Sequence, residues 1–590
     1  MKVTVDIMYT SVDFAGDTLL QEKVHDMMHL AMGVKEEGAF HSRAYKSGHW
    51  DGITDFYDKK EDKFHTGLLP QFLDGMRALK NQYTNLAYEI DDIRPPQLMH
   101  HDSMDEKIVL GNGDKDPITL REYQYNAVKK ALESQVQILN LATNAGKTEC
   151  ASGIMQQLLP HIKRGERIAF FCNSREIFHQ GSERVSKRLN LREKDIGKIG
   201  DGKFDIKNKK VVFVMVPTLA SALKDPKKGL SFTPKERVVK FIAEEIVPKF
   251  KNTANTRHLM RNFIKNCTLD TRVWKDAEEQ LMYIAYDNKF TDKSAQMQLN
   301  KYIVEFDKIM QKKNKKKYTK YKEVEEFMDS VRVAIQDEAH EINGATIFDT
   351  ISRLPNAQYR IALTGTVDQK NKMLWQRMQC VYGNDLFKVS NDYLIEQGVS
   401  SRPVIRLFPI KEPRGIELAD TYLEAYKLGI AENDYRNTVI AKCASWYVKN
   451  KPGGVLISVN HIEHGLRVQQ ILKEQFELES DFTNGSLHMD DRNEYLRRFS
   501  TGESKILIAS SILDQGVDIQ SIGMLLMSGG GKSLRVNLQR IGRGLRLNGI
   551  DGNTVQVFDF FDMTHKYLLE HSKERLKIYK NENFDVRVME

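Results

Sequence analysis

Leu141-Ala-Thr-Asn-Ala-Gly-Lys-Thr148 decides the fold of this chain. The short apolar run Val136-Gln-Ile-Leu-Asn140 opens directly into it, and the residues from Glu149 onward read as a helix. A strand that ends in such a loop and re-emerges as a helix aims backbone N–H groups and the positive end of a helix dipole at one point, which suits a phosphate. The N–H groups of residues 143 to 148 are expected to face a β-phosphate, Gly146 to let the backbone come close, and Lys147 to put a point charge on the β- and γ-phosphates. Thr148 offers a hydroxyl to Mg²⁺. Thr143, Asn144, Ala145, Gly146, Lys147 and Thr148 are therefore the candidate nucleotide-binding set. The pattern G-x-x-x-x-G-K-[ST] is met except at its start, where Leu141 stands in place of glycine.

Splitting a triphosphate also needs a carboxylate to hold the metal and a group to activate water. Asp337-Glu-Ala-His340 offers both at the end of the apolar run Val331-Arg-Val-Ala-Ile335. Asp337 falls at the carboxyl edge of a sheet, where ligands bind, and is the expected magnesium ligand beside Thr148. Glu338 points elsewhere and is the expected base; an acidic helix cap is the blander reading of the same pair. Far downstream, Gln539-Arg-Ile-Gly-Arg-Gly-Leu-Arg546 spaces Arg543 and Arg546 three residues apart, on one face of a helix. Such a pair either lines an exposed basic helix or is delivered from a second lobe onto a γ-phosphate, where it stabilises transition-state charge.

The chain has 590 residues, 41% hydrophobic and 28% charged, with a net charge of +8. It is too long for one core. No window approaches the roughly 18 apolar residues of a membrane span, and the N-terminus lacks a secretory pattern. Five widely spaced cysteines without a Cys-x-x-Cys pair argue against zinc and against a disulfide framework, and fit a reducing cytoplasm.

Apolar runs at Ile168–Phe171, Val211–Val216, Val331–Ile335 and Tyr359–Leu363 alternate with helical patterns, and so do Gly454–Ser458, Lys505–Ala509, Gly523–Met527 and Val555–Phe558. Two tandem parallel-sheet lobes of α/β class are expected. The predicted domains are a small N-terminal α/β domain at 1–105, a first lobe at 106–403 and a second at 404–590. Pro95-Pro96 through Asp116 reads as a linker. In the N-terminal domain Ala44-Tyr-Lys-Ser-Gly-His-Trp-Asp-Gly52 interleaves aromatic and basic residues with glycine. Trp50 and Lys46 could stack on a base and meet a phosphate, or Trp50 could be buried in a turn. Within the first lobe, residues 221–330 break the pattern: 24 Lys and Arg stand against 16 Asp and Glu, with a peak at Lys312-Lys-Asn-Lys-Lys-Lys317. A mostly helical insertion is expected, with Lys312, Lys313, Lys315, Lys316 and Lys317 either a solvated face or phosphate contacts.

Taken with these motifs, the chain resembles the superfamily 2 helicases, built on two RecA-like domains. Arg121-Glu-Tyr-Gln124 looks like their adenine-reading segment, and Asn173 to Gln180 and Pro217-Thr218 are similar to strand-contacting motifs. Thr364-Gly-Thr366, Ser510 to Asp518 and Gln539 to Arg546 stand where later motifs belong. The resemblance implies ATP and Mg²⁺ as cofactors, Gln124 as base reader, and Gly516 and Asp518 as nucleotide contacts of the second lobe. It implies Gln539 beside the arginine pair, His340, Thr364 and Thr366 as coupling residues, and Arg175 and Thr218 on the nucleic acid. Gly48-His-Trp-Asp-Gly52, Leu141 and Thr364-Gly-Thr366 look like phage recombination helicases of that superfamily, which carry a small N-terminal nucleic-acid-binding domain. That likeness implies a DNA motor acting in the host cytoplasm on forks and four-way junctions, largely without sequence specificity, and without a membrane partner. An RNA or RNA–DNA hybrid helicase and the translocase of a restriction-type complex are the alternatives.

Overall fold

The computed structural model describes residues 1–83, 86–111, 116–250, 253, 255–269, 271–413, 415–416, 419–510, 522–532 and 554–589, with backbone only at 176 and 489. Gly516, Asp518, Gln539, Arg543 and Arg546 lie outside the described residues.

An eight-stranded sheet follows from the apolar runs. In spatial order its strands are Lys203–Asp205, Ile196–Gly200, Val211–Met215, Arg167–Cys172, Val331–Gln336, Tyr359–Thr364, Val136–Leu141 and Leu386–Val389. Every neighbouring pair is parallel except the first. Ile138, Phe171, Val333 and Ile361 are fully buried, as strands covered by helices on both faces require. Three neighbouring strands carry the motifs. Asn140 stands opposite Thr364, and Gln336 opposite Ala362. The phosphate loop, the Asp337–His340 segment and Thr364-Gly-Thr366 therefore leave the sheet side by side at one edge.

A second, wholly parallel seven-stranded sheet runs Asp481–Thr483, Ile506–Ala509, Gly454–Ser458, Ile522–Met527, Thr554–Asp562, Arg402–Ile410, Asp585–Val588. Its interior holds two arginines. Arg436 pairs with Asp562 at 2.7 Å, and Arg575 pairs with Asp559 at 2.8 Å. Their remaining N–H groups bond the carbonyls of Ser528, Gly531 and Phe560.

The N-terminal residues form a five-stranded sheet, Tyr57–Asp58, Lys63–His65, Tyr9–Asp13, Lys2–Val5, Glu89–Asp92, backed by the helices Thr18–Met32 and Leu69–Gln82. This sheet is fastened to the first lobe. The Arg360 guanidinium, 2% exposed, bonds the carbonyls of Ile7 and Val381, both at 2.7 Å. Carbonyls rather than carboxylates surround it, and desolvation lowers its pKa to about 10. Gln71 meets Gln376 and Gln379 at 3.1 Å. At Gly67 a Cβ would sit 2.0 Å from the Gln379 carbonyl oxygen, so the two backbones touch. The stretch read as a linker is not one throughout: Met99, Met104, Ile108 and Leu110 are buried in the first lobe's core. Their apolar side chains outweigh the polar composition around them.

Leu219–Asp329 forms a separate compact unit. It is helical, with Pro234–Phe241, Thr256–Asn266 and Arg272–Tyr286 packed around Ile242, Phe250, Trp274 and Leu281. Its long helix Asp292–Ser330 is broken at Asn314 (φ −156°, ψ 63°). Gln311 and Thr319, eight residues apart, bond at 3.3 Å, and Tyr318 bonds Asp307. Eight residues of straight helix span about 12 Å. The chain therefore folds back on itself, and the lysine run caps a helical hairpin. Among the described residues no helix is long and apolar enough to cross a membrane.

Candidate nucleotide site

Lys147 opens the helix Lys147–Leu158 directly after Gly146, whose φ of +83° is the left-handed conformation that glycine adopts freely. Asn144 also has φ +73°, so the loop curls in a way that side-chain-bearing residues rarely take. Its amide lies 3.5 Å from the hydroxyl of Ser400, in the segment joining the lobes. Lys147 Nζ lies 2.8 Å from Glu338 Oε1. Glu338 itself sits at φ +47°, ψ +47°, and such backbone strain in a non-glycine residue gathers at functional sites.

Asp337 receives the Glu338 backbone N–H at 2.9 Å. Lost hydration pushes its carboxyl up to about 6; Lys147 opposes the rise, while Glu338 and Glu341 add to it. That rise comes first from burial, with neighbouring carboxylates adding to it, and a hydroxyl-plus-carboxylate donor set is what a hard divalent cation takes. Thr148 and Asp337 are of the donor types that Mg²⁺ takes.

His340 is buried, with Nδ1 2.9 Å from the Thr364 hydroxyl and 3.4 Å from Glu338 Oε2. Thr364 donates its own proton to the Thr366 carbonyl at 2.8 Å, so its oxygen is left to accept from His340. Lys147, Glu338, His340, Thr364 and Thr366 form one connected set.

Gln124 is only 3% exposed. Its Nε2 donates to the Ala145 carbonyl at 2.8 Å, and its Oε1 accepts from the Arg121 N–H at 2.9 Å. A Cβ at Gly146 would lie 2.4 Å from that Nε2. The glutamine expected to read a base thus also braces the phosphate loop.

The residues expected on nucleic acid are spread out. The Trp50 indole N–H is spent on the Ile53 carbonyl at 2.7 Å, which holds the half-buried ring in its turn, while Lys46 is exposed. Arg175 starts the helix Arg175–Arg188, is exposed, and lies 3.3 Å from Asp201; Thr218 is half-buried. Of the lysine run, Lys313 is tied to Glu236 at 3.1 Å and Lys317 to the Asp225 carbonyl at 3.0 Å. Lys312, Lys315 and Lys316 face solvent.

One element of the site escaped the sequence motifs. Glu149, buried in the first turn after Thr148, accepts from Arg184 Nε at 2.8 Å and Nη2 at 2.6 Å. A bare carboxylate there would repel an incoming triphosphate, and Arg184 screens it. A glutamate next to a phosphate loop is the only hint in the sequence, and its partner 35 residues on carries none. Arg184→Gln is expected to raise the KM for ATP about tenfold with kcat little changed, and adding Glu149→Gln should bring KM back. Steady-state ATPase kinetics on the three variants checks this; a KM left at the wild-type value would remove Arg184 from the site.

Residues 117–369 match the family model described as "Type III restriction enzyme, res subunit", and 438–548 match "Helicase conserved C-terminal domain". The chain is similar to the ATP-dependent DNA helicase uvsW of Enterobacteria phage T4, at 24% identity over 286 residues. That match takes in 45% of this chain and 56% of the phage protein, so the chain spans little more than half of that relative's length. A DNA 3′-5′ translocase XPB2 of Sulfurisphaera tokodaii is 34% identical over 68 residues, 12% of this chain and 16% of that protein. The crystal structure of T4 UvsW aligns over 100% of this chain and 98% of its own at 18% identity, with a TM-score of 0.40. One model lies over the phosphate loop and its carboxylates and the other over the second sheet, and the chain belongs to superfamily 2 of the ATP-dependent helicases.

Proposed function

We propose that the chain is an ATP-driven DNA motor that remodels branched DNA, regressing forks and moving four-way junctions, in a phage recombination, replication or repair setting inside the host cytoplasm. What carries this reading is the convergence of Lys147, Glu338, His340 and Thr364 at the ends of three adjacent strands. In this arrangement Lys147 is held by Glu338 until a triphosphate arrives. The γ-phosphate draws the ammonium away, and Glu338 is released to orient and deprotonate the attacking water. Thr148 and Asp337 would hold Mg²⁺, which neutralises charge developing on the phosphates. His340 feels the change at Glu338 and relays it through Thr364 to Thr366. The nucleotide-contact roles that the family resemblance implies for Gly516, Asp518, Gln539, Arg543 and Arg546 belong to this proposal, in which binding closes the lobes and hydrolysis reopens them.

The domain division at 105 and 403, and the nucleic-acid roles of Lys46, Trp50, Arg175, Thr218 and the lysine run, belong to the same proposal. Contacts to phosphates dominate, so binding is salt-dependent and indifferent to sequence. The test is a panel of labelled forks, four-way junctions and tailed duplexes in DNA, RNA and hybrid form, with and without ATP. ATP-dependent remodelling of the DNA forks and junctions is expected. Remodelling confined to RNA or hybrid arms would overturn the DNA assignment.

A further inference from the structure

Two segments distant in sequence meet at the tip of the helical hairpin. Lys313 reaches the Ser231 carbonyl at 2.9 Å, and Lys317 reaches that of Asp225 at 3.0 Å. These bonds staple the 223–233 loop, with its exposed Lys224 and Lys228, against the exposed Lys312, Lys315 and Lys316. The acidic groups nearby are engaged. Glu236 holds Lys313, Glu244 holds Lys227 at 2.7 Å, Asp225 accepts the Lys227 N–H at 2.8 Å, and Asp307 takes the Tyr318 hydroxyl. The five exposed lysines stand outside these pairings, with their charge turned to solvent.

We propose that this composite surface binds the phosphate rows of a duplex arm of the substrate. The proposal rests on the reading of the chain as a DNA motor and names the part of the substrate that the helical unit takes. A site for single strands pairs cations with exposed aromatic rings on which bases stack. Here the rings are largely withdrawn: Phe306 and Tyr318 are buried, and half-buried Phe232 lies under the ammoniums of Lys240 and Lys313, at 5.1 and 5.4 Å. The unit's exposed tyrosines, Tyr283 and Tyr286, belong elsewhere. Tyr283 packs on Phe290, just before the helix whose other end is the tip, about 30 Å away along the helical rise. A surface of charge without stacking matches a duplex, which hides its bases and offers a phosphate every ~1.7 Å of axis.

The test uses the full chain with Lys224→Glu, Lys228→Glu, Lys312→Glu, Lys315→Glu and Lys316→Glu combined. The corresponding five-fold Gln variant removes charge without adding repulsion, should the first fail to fold. Affinities for a blunt duplex and for a single strand are measured across a salt series, beside strand-stimulated ATP hydrolysis. Duplex affinity should fall at least about tenfold, and its log–log salt slope should flatten by about 0.9 for each phosphate no longer neutralised. Single-strand affinity should stay within about twofold, and Lys265→Glu, on another helix of the unit, should behave as wild type in affinity and in stimulated turnover. Unchanged duplex affinity, or equal losses on both nucleic acids, would overturn the assignment. Failure of the motor reading itself would show separately, as absent strand-stimulated hydrolysis in the wild-type protein.

Discussion

Lys147→Ala is expected to cut nucleic-acid-stimulated ATP hydrolysis by about a hundredfold to a thousandfold, the usual loss when one preorganised cation or donor is taken from developing charge. The substitution removes two things. It takes the ammonium from the β- and γ-phosphates, and it strips Glu338 of the partner that lies 2.8 Å away. Asp337 is already held up to about 6 despite that cation, so its loss drives the carboxyl higher still. Magnesium at the proposed Thr148–Asp337 site would then compete with protons near neutral pH, and magnesium dependence should shift to higher concentration. Phosphate release at saturating single strand measures the loss. Turnover at the wild-type level would mean that the phosphate loop does not serve hydrolysis.

Arg575→Ala is expected to destabilise the second lobe by about 3 to 5 kcal/mol, the cost of leaving one partner of a buried ion pair uncompensated. Arg575 is 2% exposed and Asp559 1%, so water does not replace the lost guanidinium. Asp559 also accepts the Tyr579 hydroxyl at 2.8 Å, and the Gly531 carbonyl loses its donor. The damage should therefore reach the Ser528–Gly531 loop, which Arg436 holds from the other side through Ser528. Replacing both partners, Arg575→Met with Asp559→Leu, should recover much of the loss, since an apolar pair of similar volume leaves no stranded charge. Denaturant unfolding followed in the second lobe reads both. A loss below about 1 kcal/mol for Arg575→Ala would show the pair to be solvated.

The outline of the two α/β lobes was legible because its parts are local. A strand buried on both faces must be a continuous apolar run, so Ile168–Phe171 or Gly454–Ser458 identify themselves. A phosphate loop is eight consecutive residues, and the carboxylate pair is two. The lysine run was legible as charge but not as shape. Neither composition nor helical periodicity marks Asn314 as a reversal, nor divides the run into Lys313 and Lys317, which fasten the tip to Glu236 and to the Asp225 carbonyl, and Lys312, Lys315 and Lys316, which face out. The 95–116 stretch was misjudged because its glycine and acidic residues outnumber four methionine, isoleucine and leucine side chains that the core nevertheless takes in.

From the residues alone came the α/β frame and the chemistry proposed for it: a cation and a hydroxyl for a triphosphate, and two carboxylates for metal and water. These follow from side-chain type and from spacings of a few residues. Only the tertiary structure decided what long-range contacts decide. It set Glu338 against Lys147 across 191 residues, Arg184 against Glu149, and the Arg360 guanidinium beneath the Ile7 carbonyl. Such pairings depend on which strands become neighbours, and strand order is fixed by packing of the whole sheet rather than by any segment within it.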